Sequence, residues 1–448
     1  MGVPSEINVG LMGLGVVGGG VAATLLDRSE TIRGKIGRPV KLKKVLVRDL
    51  AKTRNSALPP SLLTTDPEEI LSDPDIHVLV EVIGGTKPAA GYLKAGLSAG
   101  KHVVTANKEV MAKHGPELLS LARRNRVNLL FEASVCGGIP IVGCLMNELV
   151  ANDVCSVRGI INGTTNYILT RMAHHGTDFG QALKEAQERG YAEADPTNDV
   201  EGIDAVYKLA ILASLAFHLP FNPEDVYRQG ISSLEQQDFR YAQELGYAIK
   251  SLAIATLEDG AIQARVHPAL VPLGHMLAKV DGVYNAVEVE GSLCGKVLFH
   301  GMGAGREPTT SAVVGDVIEV ARRMTLLPGQ PANGSPQADE EAPLAAVPPG
   351  GEGEAWSVES IDGLMRKYYL RLRVADQPGV LAQIARLLGD GEISLASVLQ
   401  KDTNPADQTA EIVITTHPAR EASVQEALRS MANLEVVRGV NNLLRIEE

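Results

Sequence analysis

A chain of 448 residues is too long for one ordinary core and predicts roughly two to four domains, three being the expected number. Its 45% hydrophobic and 21% charged residues, with 45 glycines, describe a globular protein rich in tight turns and exclude the disordered and fibrous classes. A net charge of −12 argues against nucleic acid or an anionic membrane surface as partner, while leaving room for a local basic pocket that holds one phosphorylated ligand.

From residue 7 to about 131, short apolar strands (INVGLM, VKLKKVLV, HVLVEVIGG, KHVVTA, NLLFEA) alternate with helical stretches. That alternation predicts a doubly wound parallel sheet with helices on both faces. From 135 to 304 the texture changes to long helical stretches, Phe179 to Glu188 and Val200 to His218, then strand-like segments around 250 to 300, as in an α+β substrate domain. Pro308 to Met324 is amphipathic and is expected to return to the first domain, so that 1–134 plus about 305–326 form one Rossmann-type unit. Residues 327–355 are dense in Pro, Gly, Ala and Glu with little to bury, so 327–363 reads as a linker, with Trp356 packing at its end. In 364–448 the order is KYYLRLRVA, a helix from Gly379 to Leu388, EISLASVLQ, TAEIVITTH, a helix from Ala419 to Met431 and EVVRGVNNLLRI. This βαββαβ order predicts a ferredoxin-like sandwich.

The segment Gly13-Leu14-Gly15-Val16-Val17-Gly18 directly follows the first strand and opens a helix. In that setting the first glycine permits a tight turn, the second admits a pyrophosphate to the backbone, and the third lets helix and strand pack closely. The second strand ends at Arg48-Asp49. An arginine there suits the 2′-phosphate of NADP, and Asp49 leaves the ribose hydroxyl of NAD as the alternative. Thr105-Ala106-Asn107-Lys108 follows KHVVTA at the carboxyl edge of the sheet, where open α/β folds place ligands.

Acidic residues cluster in 193–204, before and on the first turns of a helix, and Asp204 precedes Lys208 by one turn. The LAILASLAF that follows makes the helix largely buried, so Lys208 should be paired, face a pocket, or both. A buried lysine near carboxylates and a second lysine suits proton transfer at an alcohol or carbonyl oxygen. Glu193 and Asp204 suit the ammonium of an amino-acid substrate, and Asp199 the cap or support of that set.

Together GLGVVG, VVTANKE, EASVCGGIPI, INGTTNYIL, GYAEADPTNDVEGIDAVYKLAIL and GMGAGREPTTSAVVGDV resemble the bacterial homoserine dehydrogenase family in motif and order over about residues 7 to 325. The resemblance implies reversible NADP-dependent interconversion of L-homoserine and L-aspartate 4-semialdehyde, with NAD as the alternative cofactor. It implies Lys208 as proton donor and acceptor, Lys108 beside substrate and nicotinamide, Glu193 and Asp204 on the substrate, and Thr164 at the pocket's border. It also implies a structural sodium-like cation on Glu132, Val135, Gly137 and Ile139. The loop Gly301-x-Gly303-x-Gly305 would let backbone approach the nicotinamide end, Gly303 in particular. Residues 367–448 resemble an ACT domain, with Asp376-Gln377-Pro378-Gly379 as its first strand–helix turn, which implies an amino-acid effector, threonine, near Asp376 and Gly379, and pairing into a homodimer or homotetramer.

A rival enzyme class, a semialdehyde dehydrogenase working through a thioester, would use Cys136 as nucleophile. A binding regulator without turnover is the alternative outside enzymes. The four cysteines, without C-x-x-C spacing, predict reduced thiols and no metal. No signal-type core and no run of about 18 apolar residues is visible, so a cytoplasmic setting is expected, with neither export nor anchoring. The adjacent His174 and His175 are read as surface residues.

Overall fold

The computed structural model describes residues 4–52, 58–258, 260–326 and 357–448; the linker reading over 327–356, including Trp356, lies outside them. By its internal contacts the chain divides into two units, one of Met1–Cys155, Tyr207–Pro223 and Val289–Glu354, the other of Ser156–Val206, Glu224–Glu288 and Ala355–Glu448.

In the first unit a six-stranded sheet runs β1 (Ile7–Met12), β2 (Val40–Leu46), β3 (Leu63–Thr64), β4 (Val78–Glu81), β5 (His102–Thr105) and β6 (Leu129–Leu130), in spatial order β3-β2-β1-β4-β5-β6. All pairings are parallel. Every residue of β1 and β4 is buried, as expected of central strands covered on both faces. The order reverses between β1 and β4, and the crevice at the carboxyl ends of these strands is where such sheets bind dinucleotides. The helix Arg306–Leu326, two residues longer at each end than its sequence pattern suggested, packs on the helix Val16–Asp27. Val313, Val317 and Val320 join Val9, Leu11, Val21 and Leu25 in one core.

The second unit is built on a mixed sheet of β7 (Val154–Ile160), β8 (Tyr247–Glu258), β9 (Ala261–Pro272), β10 (Met365–Ala375), β11 (Leu395–Leu399), β12 (Thr409–Thr416) and β13 (Val437–Ile446). Their order is β7-β8-β9-β13-β10-β12-β11. With the helices Val380–Asp390 and Glu421–Ala432, strands β10 to β13 form the predicted βαββαβ module. That module is built into the sheet: β13 pairs in parallel with β9 through Ala269↔Arg445 and Leu270↔Ile446. Tyr369, Val413 and Leu444 of the module share a core with Leu169 and Met172 of the helix Gly163–His175 and with Phe239 and Ala242 of the helix Gln236–Glu244.

Three buried arginines reinforce the seam. Arg371 lies between Asp238 (2.7 Å) and Glu411 (2.9 Å), Arg265 reaches Glu447 (2.8 Å), and Arg445 pairs with Glu421 and donates to Gln229 (3.0 Å). Asp238 also accepts from the Tyr369 hydroxyl and the Asn442 amide, so no face of its carboxylate is left without a donor.

Candidate active site

The glycine loop shows why its residue types are needed. Gly13 sits at φ +105°, in the left-handed region, and a side chain on it would meet the Val82 carbonyl at 3.0 Å. A Cβ on Gly18 would lie 2.1 Å from the Gly13 carbonyl oxygen, so the helix Val16–Asp27 approaches the turn only with glycine there. Gly15, the N-cap of that helix, has no atom within 4 Å of where its Cβ would be, and the space over the helix N-terminus is open to an anion. Val16 is exposed at the same turn, and Arg48 is exposed just beyond the end of β2.

A cleft of about 320 Å³ lies at the carboxyl edge of this sheet. Its walls come from Val17, from Val82–Gly85 after β4, from Ala106–Glu109 after β5, from Ala133, Ser134 and Cys136, and from the Gly303–Ala304 turn. Two lysines a hundred residues apart, Lys108 and Lys208, line it together. Lys108 is the first residue of the helix Lys108–Arg124, whose N-cap Asn107 accepts from the Val110 amide (3.1 Å). Lys208, 7% exposed, stands on the helix Ile203–Ala216, which carries the buried Asp204 in its first turn.

Thr105 ends β5 at the carboxyl edge of the sheet, where its motif placed it, with its side chain turned inward. Its hydroxyl is buried, donates to Glu81 (2.6 Å) and accepts from the Asn107 amide (3.0 Å), and Thr105 does not line the cleft. Its role is to hold the corner that carries Lys108. Glu81, wholly buried at the end of β4, was not singled out by the sequence reading; the signal was a lone acid ending an otherwise apolar strand, HVLVE.

In the second unit the turn Asn162–Asn166 gathers the acids. Asn162 caps the helix Gly163–His175 through its amide oxygen, which accepts from the Thr165 amide (2.8 Å). Its amide nitrogen donates to Asp199 (2.7 Å) and to Asp204 (2.8 Å). Asn162 is thus the organiser of the acidic pair, a role the sequence reading left to a generic polar turn. The Thr164 hydroxyl donates to the Tyr191 carbonyl (2.7 Å). Glu193 is exposed, with its carbonyl taking the Gln187 side-chain amide (3.0 Å).

The EASVCGGIP segment is a buried turn forced by close packing. A Cβ on Gly138 would lie 2.3 Å from the Met302 carbonyl oxygen, and one on Gly137 3.1 Å from the Thr309 hydroxyl. The Glu132 carboxylate accepts from the amides of Val142 (2.9 Å) and Gly143 (2.7 Å), yet burial holds its pKa above the usual range. Asp316 accepts from the Glu132 amide (3.0 Å) and is pushed up to about 8 by burial. Val135 and Ile139 are buried in the same turn. Among the described residues no group of three or more His, Cys, Asp or Glu side chains is arranged to hold a metal. Cys136 is 1% exposed and, among the described residues, no histidine lines the cleft beside it as the thioester route would require. His174 is exposed, 3.1 Å from Asp281. On the C-terminal module, Asp376 and Gly379 lie on an exposed turn before the helix Val380–Asp390.

A dinucleotide-type sheet with a lysine-lined cleft at its switch point is the arrangement of a nucleotide-dependent enzyme, here joined in one chain to a ferredoxin-like module. The comparisons name the family. The models for the homoserine dehydrogenase NAD-binding domain, for homoserine dehydrogenase and for the ACT domain match residues 13–132, 140–318 and 368–436. The homoserine dehydrogenase of Neisseria gonorrhoeae is 42% identical over 445 residues, covering 98% of both chains. The crystal structure of a homoserine dehydrogenase from Thiobacillus denitrificans superposes with a TM-score of 0.89 at 43% identity, over 99% of this chain and 98% of that one. A hyperthermophilic archaeal homoserine dehydrogenase in complex with NADPH matches 70% of this chain and 97% of its own, with a TM-score of 0.60 and 26% identity. The chain belongs to the homoserine dehydrogenase family, oxidoreductases that act on a CH–OH group with NAD(P).

Proposed function

We propose that the protein interconverts L-homoserine and L-aspartate 4-semialdehyde with NADP as preferred cofactor and NAD as second, in threonine, methionine and isoleucine biosynthesis in the cytoplasm. The observation that carries the mechanism is the convergence of Lys108 and Lys208 on one cleft at the carboxyl edge of the nucleotide-type sheet. NADP, when bound, supplies the hydride acceptor, and its reduced form the donor.

The protein's own groups do the rest. The backbone of Gly13, Leu14, Gly15, Val16, Val17 and Gly18 holds the pyrophosphate at the helix N-terminus, and Arg48 the 2′-phosphate. The NADPH complex of the archaeal relative supports that preference. Lys208 accepts the proton of the substrate hydroxyl during oxidation and returns it to the carbonyl oxygen during reduction. Lys108 orients the reacting oxygen, and Gly303 leaves room for the nicotinamide end. Glu193 and Asp204, with Asp199 and Thr164 in support, bind the substrate ammonium. The backbone carbonyls around Glu132, Val135, Gly137 and Ile139 would hold a sodium-like cation, a set of hard oxygen donors suited to such an ion.

We assign 1–134 with about 305–326 to nucleotide binding, 135–304 to substrate binding and dimerisation, 327–363 to a connecting segment and 364–448 to regulation. Threonine acts at the turn carrying Asp376 and Gly379, in a homodimer or homotetramer. The decisive assay is the initial rate of NADP reduction by L-homoserine for wild type and Lys208→Ala, each with and without threonine. The variant should lose about 10²- to 10⁴-fold in kcat at an unchanged melting temperature, and threonine should slow the wild type. A Lys208→Ala protein at full rate removes the proton-transfer assignment.

A further inference from the structure

A buried carboxylate joins the two loops that wall the cleft. Glu81 ends β4 and Thr105 ends β5, and the two are direct neighbours in the parallel ladder. One oxygen of the Glu81 carboxylate accepts from the amides of Ile83 (2.7 Å) and Gly84 (3.3 Å) and, at longer range, from the Asn107 side chain (3.4 Å). The other accepts from the Thr105 hydroxyl (2.6 Å). Asn107 in turn donates to the Gly85 carbonyl (2.8 Å) and caps the helix that begins at Lys108. The loop after β4 passes through two consecutive left-handed residues, Gly84 (φ +81°) and Gly85 (φ +68°), a path that needs external donors and acceptors to stay fixed.

We propose that Glu81 is the positioning residue for Lys108: it fixes the loop 82–85 and the corner 105–108 against each other, and so sets where the lysine enters the cleft. The proposal rests on the dehydrogenase reading given above. The hydrogen-bond inventory explains why a carboxylate is needed. All four of its partners are donors, and an ionised carboxylate is acceptor-only. A glutamine turns one acceptor into a donor: with its oxygen kept on the amides of Ile83 and Gly84, its nitrogen faces the Thr105 hydroxyl, whose own proton then loses its acceptor, and the short link between the two corners is weakened. The glycine loop that grips the pyrophosphate makes none of these contacts, so nucleotide affinity and catalytic geometry should separate.

The test compares wild type, Glu81→Gln, Thr105→Val and the double variant for kcat and KM with L-homoserine, for the NADPH dissociation constant by fluorescence, and for melting temperature. Glu81→Gln should lower kcat by about 10- to 100-fold, the size of effect that a misplacement of about 1 Å produces, while NADPH affinity stays within about threefold. Thr105→Val, which removes one arm of the same staple, should lower kcat in the same direction. The double variant should be no worse than Glu81→Gln alone. Unchanged kcat in Glu81→Gln overturns the proposal, as does a loss of kcat that runs in proportion to lost NADPH binding and melting temperature. Should Glu81→Gln fail to fold, Thr105→Val decides: wild-type kcat in it overturns the proposal. Wild type inactive with both nicotinamide cofactors would instead strike at the dehydrogenase reading itself.

Discussion

The two sheets of this molecule solve the problem of burying a face in opposite ways. The parallel sheet of the nucleotide unit has a largely apolar core, and at the carboxyl ends of β4 and β5 Glu81, Thr105 and Asn107 interlock. The mixed sheet carries Arg265, Arg371 and Arg445 inside it, each with a carboxylate partner. An apolar interior is tolerant of sequence as long as volume is kept. Buried ion pairs are not, because removing one partner leaves an uncompensated charge. The first sheet is therefore held by shape and the second by pairing, and the two should fail differently.

The sharpest break is expected at Asp238. Replacing it with alanine leaves Arg371, the Tyr369 hydroxyl and the Asn442 amide without a shared acceptor, and should cost about 3–5 kcal/mol in denaturant unfolding. A loss under about 1 kcal/mol would mean that Glu235 and Glu411 suffice for Arg371 and that the seam is not held by pairing.

Next comes acidity. Burial opposes ionisation of Glu447, but the guanidinium groups of Arg265 and Arg366 outweigh it and hold the carboxyl at about 2, below its ordinary 4.5. Its folded-state value is depressed, so its stabilisation is present above the unfolded value and is lost as the pH falls from about 4.5 towards 2, at most about 3 kcal/mol. The stability gap between wild type and Glu447→Gln should narrow as urea unfolding is followed from about pH 5 downwards. A gap independent of pH would assign the effect to packing. His267 beside it is pushed down to about 3 by burial and stays neutral throughout the physiological range.

The smallest and most discriminating pair lies in the glycine loop. Gly18→Ala forces a side chain onto the Gly13 carbonyl and should lower stability by about 1–3 kcal/mol. Gly15→Ala has room, so it should leave the melting temperature alone and raise KM for the nucleotide. Equal loss of stability in both would mean that Gly15 is constrained by the fold and not reserved for a ligand.

Much of this was legible in the residues. The alternation of apolar strands with helices, the glycine loop after β1 and the βαββαβ order of the tail all appear where periodicity and turn chemistry placed them. They are local signals, written within about thirty residues. Lys208 was legible because a charge inside LAILASLAF-type surroundings demands a reason. What stayed hidden were partnerships set only by three-dimensional register. Glu81 meets Thr105 because β4 and β5 are parallel neighbours, and Asn162 joins Asp199 to Asp204 across some forty residues. No spacing rule connects such pairs. Thr105 shows the complement: a motif located it at the carboxyl edge, and the direction of its side chain, towards Glu81, follows from the pleat.

The strand pairing of β13 on β9 has a consequence for how such a chain can be shortened. A module hung on a tether can be cut away and leave a finished surface behind. Here, removing the C-terminal strands would uncover Leu270 and Ile249 and strip the Ala269–Leu270 end of β9 of its backbone partner, creating a raw edge ready to pair with another chain. A protein of this architecture that dispenses with its C-terminal module has to grow a new cover for that edge, so the length of the chain and its solubility are joined at the Ala269–Leu270 end of β9.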